Sequence, residues 1–358
     1  VRWTMWRRTG DPAVIRQHLP NLVRYVDQLV AKSHDLIRSH PKAGWGGFGD
    51  WLALDGSGKT DGGTPKDLIG TAYLAYDAGL LAEMAEALGE TALATRMRDL
   101  RTRVTEAFRR RFVTPDGLIA GQTQTAMALA LFMDLVPEGS RAETVASLVR
   151  DLEARGVTLA TGFVGTPYLT HVLTRAGRDD LAWKLLLKKT FPSWLFPVTQ
   201  GATTVWERWD GWTTDKGFQD VGMNSFNHYA YGAVGQWMYQ RAAGLDQAEG
   251  TAGLAYRRLR LAPMPCAELE HASAWHRTPY GRAASGWKRV GETIEVEVTV
   301  PPGCTADLIL PVGDPAVIRG EGLRFAAQAG KIQAEVPAGT WRVAFAAAAP
   351  AAQTAKAG

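Results

Sequence analysis

The chain has 358 residues, 46% of them hydrophobic, which is enough to bury a large core and suggests two domains. Its net charge of +4 rests on 40 basic and 36 acidic side chains, scattered except at Arg109-Arg110-Arg111, so no nucleic-acid partner is indicated. No apolar run reaches the roughly 20 residues of a membrane span, and Cys266 and Cys304 lack the spacing of a metal cage or disulfide framework, so they read as free, partly buried thiols.

Val1 is followed at once by what reads as the tail of a helix, Trp3 to Arg8, capped by Gly10. The opening residues lack the basic-then-apolar order of a signal peptide, and so abrupt a start predicts that a natural N-terminal part is absent. Apolar spacing of three, four and seven then predicts helices at about 20–38, 66–88, 91–112, 122–135, 140–155, 166–176, 178–190 and 223–242. Pro20, Pro65 and Pro167 suit first turns, and Thr64 and Thr166 suit N-caps. Asp67 nearly completes a capping box, and Gly89, Gly156 and Gly244 sit where C-terminal glycines belong. The Arg109–Arg111 triplet reads as a helix C-terminus complementing the dipole.

The connections after the first, third, fifth and seventh of these helices are long and the others short. In a row of antiparallel helices alternate connections fall on one end, so the long loops share a face where function is expected. They carry Gly44-Trp45-Gly46-Gly47-Phe48-Gly49-Asp50-Trp51, then Thr158 to Gly165, then Phe191 to Asp220. The last loop holds Val205-Trp206-Glu207-Arg208-Trp209-Asp210-Gly211-Trp212, acids set among indoles. A sugar ring offers an apolar face to an indole and hydroxyls to a carboxylate, and glycoside hydrolysis needs a carboxyl pair across the scissile bond. A Trp-rich core strand is the competing reading. Eight helices and a stub fall about four short of six helical hairpins, which predicts that part of the ring's inner wall lies outside this sequence.

From about residue 254 the pattern alternates, at 293–300, 306–310, 331–336 and 340–345, with Pro-Gly and Ala-Gly turns between. Period two with such turns predicts a small antiparallel β-sandwich. The domain reading is a helical domain at 1–250, a sandwich at 251–346 and a disordered tail at 347–358.

Six ordered segments carry a resemblance: 47–53, 64–69, Thr161 to Leu169, Pro192 to Val198, Gly201 to Gly211, and Gly222 to Tyr229. Together they make the chain resemble the α-L-rhamnosidases of glycoside hydrolase family 78 over roughly residues 1 to 345. The resemblance implies a mainly α fold, here part of an (α/α)6 barrel with about eight of twelve helices, followed by the sandwich. It also implies inverting hydrolysis of terminal α-L-rhamnose from a rhamnose-containing glycoside or oligosaccharide, with no metal or cofactor. Glu207 matches the family's base, its flanking indoles shielding it from water; a glutamate paired outward with Arg208 is the alternative. The family's acid is a glutamate in an Asp-Cys-Pro-x-Arg-x-Glu-Arg-x-Gly-Trp segment absent here, and Asp50, Asp210 and Asp220 do not occupy it. This predicts a chain that is inactive alone. Asp50 is expected to accept hydrogen bonds from rhamnose hydroxyls, with Trp51 closing the pocket. Trp45, Trp194, Trp206 and Trp209 are expected to border the sugar, and His228 to bind it as a neutral ring; His18 and His171 read as structural or surface residues.

A glucoamylase-like or trehalase-like helical-ring enzyme and a non-catalytic sugar-binding or scaffold protein remain as alternatives. A metal-dependent terpene cyclase would need ligands that Asp179-Asp180 and dispersed histidines do not supply. Oligomeric state is open, homo-oligomers included; lack of disulfides leans toward the cytoplasm.

Overall fold

A computed structural model describes residues 1–39, 42, 46–328 and 331–347; the expected tail falls, but for Ala347, outside them. The chain forms two compact units, one of residues 16–234 and one of residues 1–15 with those from 235 onward. Residues 1–15 and 235–250, which the sequence reading assigned to the helical domain, thus group with the sheets.

Helices α1 (Arg2–Thr9) and α2 (Ala13–Arg16) precede α3 (Leu19–Ala31), which starts with Pro20 in its first turn. The expected helix 20–38 stops at Ala31. Beyond it, the Ser33 hydroxyl turns back to the Leu29 carbonyl, and Asp35 and Leu36 take left-handed φ values of 51° and 63° in a tight His34–Ile37 bridge.

Next come α4 (Lys66–Ala87), α5 (Thr91–Phe112), α6 (Gln124–Phe132), α7 (Glu138–Ala154), α8 (Thr166–Arg175), α9 (Asp179–Leu187) and the short α10 (Leu195–Thr199). Helix α4 is buried on several sides, through Leu68, Leu74, Ala78 and Leu81, and α6 is buried over nearly its whole length. Helices α5 and α7 instead hide only stripes, whereas the short α9 buries Leu181 to Trp183, Leu185 and Leu186. The contacts follow: α4 touches α6, α6 touches α8, and α8 touches the 3₁₀ turn Ala230–Ala233, while α5, α7 and α9 lean on α4, α6 and α8 in turn. An inner row backed by an outer row results. Antiparallel pairing brings the end of α5 to the start of α4, where the Arg111 Nε and Nη2 donate to Asp67 at 2.9 and 2.6 Å. The caps differ from expectation, because Pro65 and Gly165 occupy the N-cap positions of α4 and α8, while Thr123 caps α6 by accepting from the Ala126 N–H at 3.1 Å.

Residues 200–229 are irregular apart from the hairpin β1 (Trp212–Thr213) and β2 (Gly217–Phe218) and a 3₁₀ turn at Val221–Met223. The helix expected from 223 begins only at Ala230 and runs through a 3₁₀ turn, α11 (Val234–Trp237) and a π turn at Met238–Ala242. Residues 225–228 are held otherwise: Glu207 N–H donates to the Ser225 carbonyl at 2.8 Å and His228 N–H to the Val205 carbonyl at 2.9 Å. Backbone pairing with 205–207 replaces the helical ladder.

The second unit contains β3 (Leu245–Gln247), β4 (Arg258–Leu261), β5 (His271–Thr278), β6 (Gly281–Val290), β7 (Thr293–Val300) and β8 (Thr305–Leu310). It continues with β9 (Arg319–Gly320), β10 (Ala326–Gln328), β11 (Lys331–Val336) and β12 (Gly339–Ala346). They form two sheets, ordered β10-β11-β8-β4-β3 and β5-β6-β7-β12-β9. Leu259, Leu261, Leu308, Val296, Val298 and Trp287 lie in one buried cluster. The expected all-antiparallel pattern fails once: β4 and β8 are parallel, since the chain leaves for β5–β7 in the other sheet before returning.

Candidate active site

The loop after residue 46 and the segment 160–165 cross at Asp50, which is fully buried. Its carboxylate accepts from the backbone N–H groups of Gly162 (2.8 Å), Val164 (2.7 Å) and Gly165 (3.3 Å), and from the Thr125 hydroxyl. Burial pushes its pKa up, and these four hydrogen bonds pull against that. Gly162 permits the crossing, because a Cβ there would stand 2.1 Å from the Trp51 carbonyl oxygen. The expectation that Asp50 meets a ligand is therefore corrected: a side chain sealed from solvent, with both oxygens engaged, fixes loops instead. Trp51 beside it is 38% exposed. Trp45 lies outside the described residues.

Glu207 is half-buried, and its Oε2 accepts from the Ser225 N–H at 3.0 Å, so the 207/225 pair is closed by backbone and side chain together. Among the described residues it has no ion pair. Arg208 turns instead to Asp210, Nε to Oδ1 at 3.1 Å and Nη2 to Oδ2 at 3.3 Å, which removes the outward Glu207–Arg208 pair. Asp220 is spent on the Gly222 N–H at 2.8 Å. His228 stacks on Phe163 at 4.8 Å, and its Nδ1 accepts from the Ala230 N–H at 3.4 Å.

The indoles are less open than a stacking role requires. Trp206 and Trp209 are 7% and 4% exposed. Phe226 packs edge-on to Trp206 at 5.0 Å, and Tyr231 covers a face of Trp209 at 3.8 Å. Large apolar rings in a loop are better buried against each other than left in water. Trp194 sits edge-on to Trp209 at 5.7 Å and donates from Nε1 to the Tyr231 carbonyl at 2.9 Å, so it works as a wedge.

A cleft of about 530 Å³ opens here, with Leu52, Leu54 and Lys59 from the first loop facing Phe191, Trp209 and Asp210 from the third and Tyr231 from the 3₁₀ turn Ala230–Ala233. Two of its lining residues, Trp209 and Tyr231, carry polar atoms, Nε1 and the hydroxyl, that are sealed from solvent and have no hydrogen-bond partner among the described residues. Burial holds that hydroxyl protonated, with Asp50, Asp210 and Glu207 adding to the effect. The structure thus gathers Asp50 and Trp51 from the first loop and Trp194, Trp206, Glu207, Trp209 and His228 from the segment 191–229. Sequence reasoning passed over Tyr231, Phe163 and Lys59. Tyr231 carried a signal, three residues after His228 at a spacing that one turn brings to the same side. Among the described residues, no group of His, Cys, Asp or Glu is placed to hold a metal ion.

A family model described as the bacterial alpha-L-rhamnosidase 6 hairpin glycosidase domain matches residues 1–242, and one for the bacterial alpha-L-rhamnosidase C-terminal domain matches residues 244–324. An alpha-L-rhamnosidase of Streptomyces avermitilis is 41% identical over 315 residues, 88% of this chain and 29% of its own length. One from Formosa agariphila is 37% identical over 328 residues, 91% of this chain and 34% of its own. The chain thus spans about a third of the length of these relatives. Among solved structures, the Streptomyces avermitilis alpha-L-rhamnosidase complexed with L-rhamnose matches with a TM-score of 0.87 and 38% identity, over 96% of this chain and 32% of that one. The alpha-L-rhamnosidase from Dictyoglumus thermophilum matches with a TM-score of 0.84 and 26% identity, over 96% and 38%.

Proposed function

Since the chain belongs to the bacterial α-L-rhamnosidase six-hairpin glycosidase family, we propose that it supplies the general base and one wall of a site that removes terminal α-L-rhamnose with inversion. One observation carries this reading. Glu207, held by Ser225 and free of an ion pair among the described residues, directly precedes Arg208 and Trp209, which line a cleft together with Asp210 and Lys59. A carboxylate without an ion pair beside a cleft with polar walls suits a polyhydroxyl ring, whose hydroxyls donate to it.

In this proposal Glu207 takes a proton from the water that attacks the anomeric carbon, while a carboxylic acid roughly 6.5–9.5 Å away protonates the leaving oxygen. Asp210 is tied to Arg208 and Asp50 to the loop crossing, so neither is assigned as that acid. The acid is placed outside this chain, in the segment that the family resemblance implies. His228 is assigned to a sugar hydroxyl, Trp51 to the pocket's edge, and the inner and outer helices to about eight of the twelve of an (α/α)6 barrel.

The test is release of p-nitrophenol from p-nitrophenyl α-L-rhamnopyranoside by this chain and by a longer protein that includes the acid segment, each with and without Glu207→Gln. Turnover is expected only in the longer protein, with kcat lowered about 10³-fold by Glu207→Gln. Turnover by the chain alone would sink the divided site, and an unaffected Gln variant would sink the base assignment. No turnover in either protein would leave a non-catalytic sugar-binding protein.

A further inference from the structure

We propose that the outward face of the sheet β5-β6-β7-β12-β9 binds an extended acidic glycan, a run of sugar rings carrying carboxylates. The proposal shares no residue with the cleft and does not rest on the role of Glu207. Register defines the face. Trp275 lies opposite Ala284 and Ser273 opposite Gly286, while Glu297 is flanked by Gly286 and Arg342 on its neighbouring strands. The alternate residues Trp287, Val296 and Val343 are buried on the other side. Ala284, Gly286 and Ala344 give the face a low floor between taller side chains, and the resulting groove holds about 880 Å³.

The groove has what a sugar chain requires. Trp275 is 55% exposed at one end, with the Arg282 guanidinium over its ring at 4.7 Å. An indole with one face covered by a cation, and more than half of its surface in water, keeps a face for a sugar ring. Along the floor, carboxylates and cations alternate: Lys288 pairs with Glu295 at 2.9 Å and Arg342 with Glu297 at 2.6 Å. Such pairs offer acceptors and donors to hydroxyls. Arg282 and Arg319 have no carboxylate partner among the described residues, so the groove carries an excess of two positive charges. From ideal sheet spacings these two arginines stand about 24 Å apart diagonally, a span of several rings.

Strands β6, β7 and β12 under the groove are paired on both sides, so an added strand could join only at the edges β5 or β9 and not along the groove. Glu295 and Glu297 on the midline, each held by a cation, accept from sugar hydroxyls, while Arg282 and Arg319 face the carboxylates of the glycan.

Native electrophoresis of this chain through gels containing polygalacturonate or neutral dextran tests the proposal. Retardation by polygalacturonate and not by dextran is expected, weakened about 5-fold or more by Trp275→Ala and by Arg319→Glu, with thermal midpoints unchanged. Glu207→Gln, outside the groove, should leave retardation as it is. No retardation of the native chain, or equal retardation of both groove variants, would overturn the site. Dextran binding as strongly would overturn the acidic ligand. Duplex DNA binding as tightly as polygalacturonate, with the same loss in both variants, would make the face a general polyanion surface. A dimer in light scattering that Trp275→Ala dissociates, without glycan retardation, would give the face to a second copy.

Discussion

Asp50 binds four donors from two other segments with one carboxylate, and what it does is set by burial more than by chemistry. Asp50→Ala strands the N–H groups of Gly162, Val164 and Gly165 in a site closed to water. At about 1–3 kcal/mol for each unmade bond, partly relieved by relaxation, a total loss of about 3 kcal/mol or more is expected. Asp50→Asn keeps the shape but turns a donor toward donors, so it should recover only part of that; urea midpoints of the three proteins decide. Asp77 on α4 is a different case. Burial alone raises its pKa, to about 6 from 3.8, with no hydrogen bond or ion pair to it among the described residues. A carboxyl whose folded pKa is raised stabilises the fold while protonated, and that contribution is lost as pH rises through about 6. Asp77→Asn should therefore be more stable than the native chain at pH 7.5, by about 2 kcal/mol, and nearly equal to it at pH 4. Thermal unfolding at the two pH values checks this, and equal gains at both would refute it.

Helices and strands differ in how much of them the sequence made readable, and the difference follows from where each finds its hydrogen bonds. Helices α4 and α5 bond within themselves and end at Gly89 or begin beside Pro65, so their periodicity and punctuation located them to within a residue. Residues 223–229 have the composition of a helix start, but their partners, Val205 and Glu207, are about twenty positions away, and no local pattern reveals that. Strands β5 and β6 were passed over because Ala, Ser, Gly and His dilute their alternation; only Ala283, Ser285 and Trp287 of β6 turn fully inward. The site shows the same division. Glu207 and His228 stood out by motif, whereas Tyr231 and the Asp50 crossing depend on contacts between loops. That crossing is testable as an element. A Cβ on Gly162 would meet the Trp51 oxygen at 2.1 Å and the Ala53 nitrogen at 2.7 Å, so Gly162→Ala should cost about 1–3 kcal/mol. Combined with Asp50→Ala it should cost clearly less than the sum, because both open the same crossing; additive urea midpoints would show two separate defects.

At the scale of the molecule, the first residues of the chain belong with residues more than two hundred positions later. Helix α1 reaches them through Arg7, which donates to the Ala248 carbonyl at 3.2 Å, and through Arg8, which meets the Tyr256 hydroxyl at 2.7 Å and Asp246 at 3.3 Å. Composition could not announce this, since the segment Arg2 to Thr9 reads as any short amphipathic helix and the sheets begin late. The arrangement has a local reporter. His276 packs on Tyr256 at 5.0 Å, and its pKa is lowered first by burial and then by the Arg8 charge. Arg8→Ala removes the charge and admits water, and both changes favour the imidazolium. His276 should then titrate at higher pH, as followed by its ring protons in NMR. Deleting residues 1–12 should move it in the same direction and at least as far, because Arg8 leaves together with the rest of α1. If His276 titrates identically in all three proteins, α1 does not belong with the sheets; if only the deletion moves it, α1 is seated there through Arg7 and its backbone, and the Arg8–Tyr256 contact contributes little.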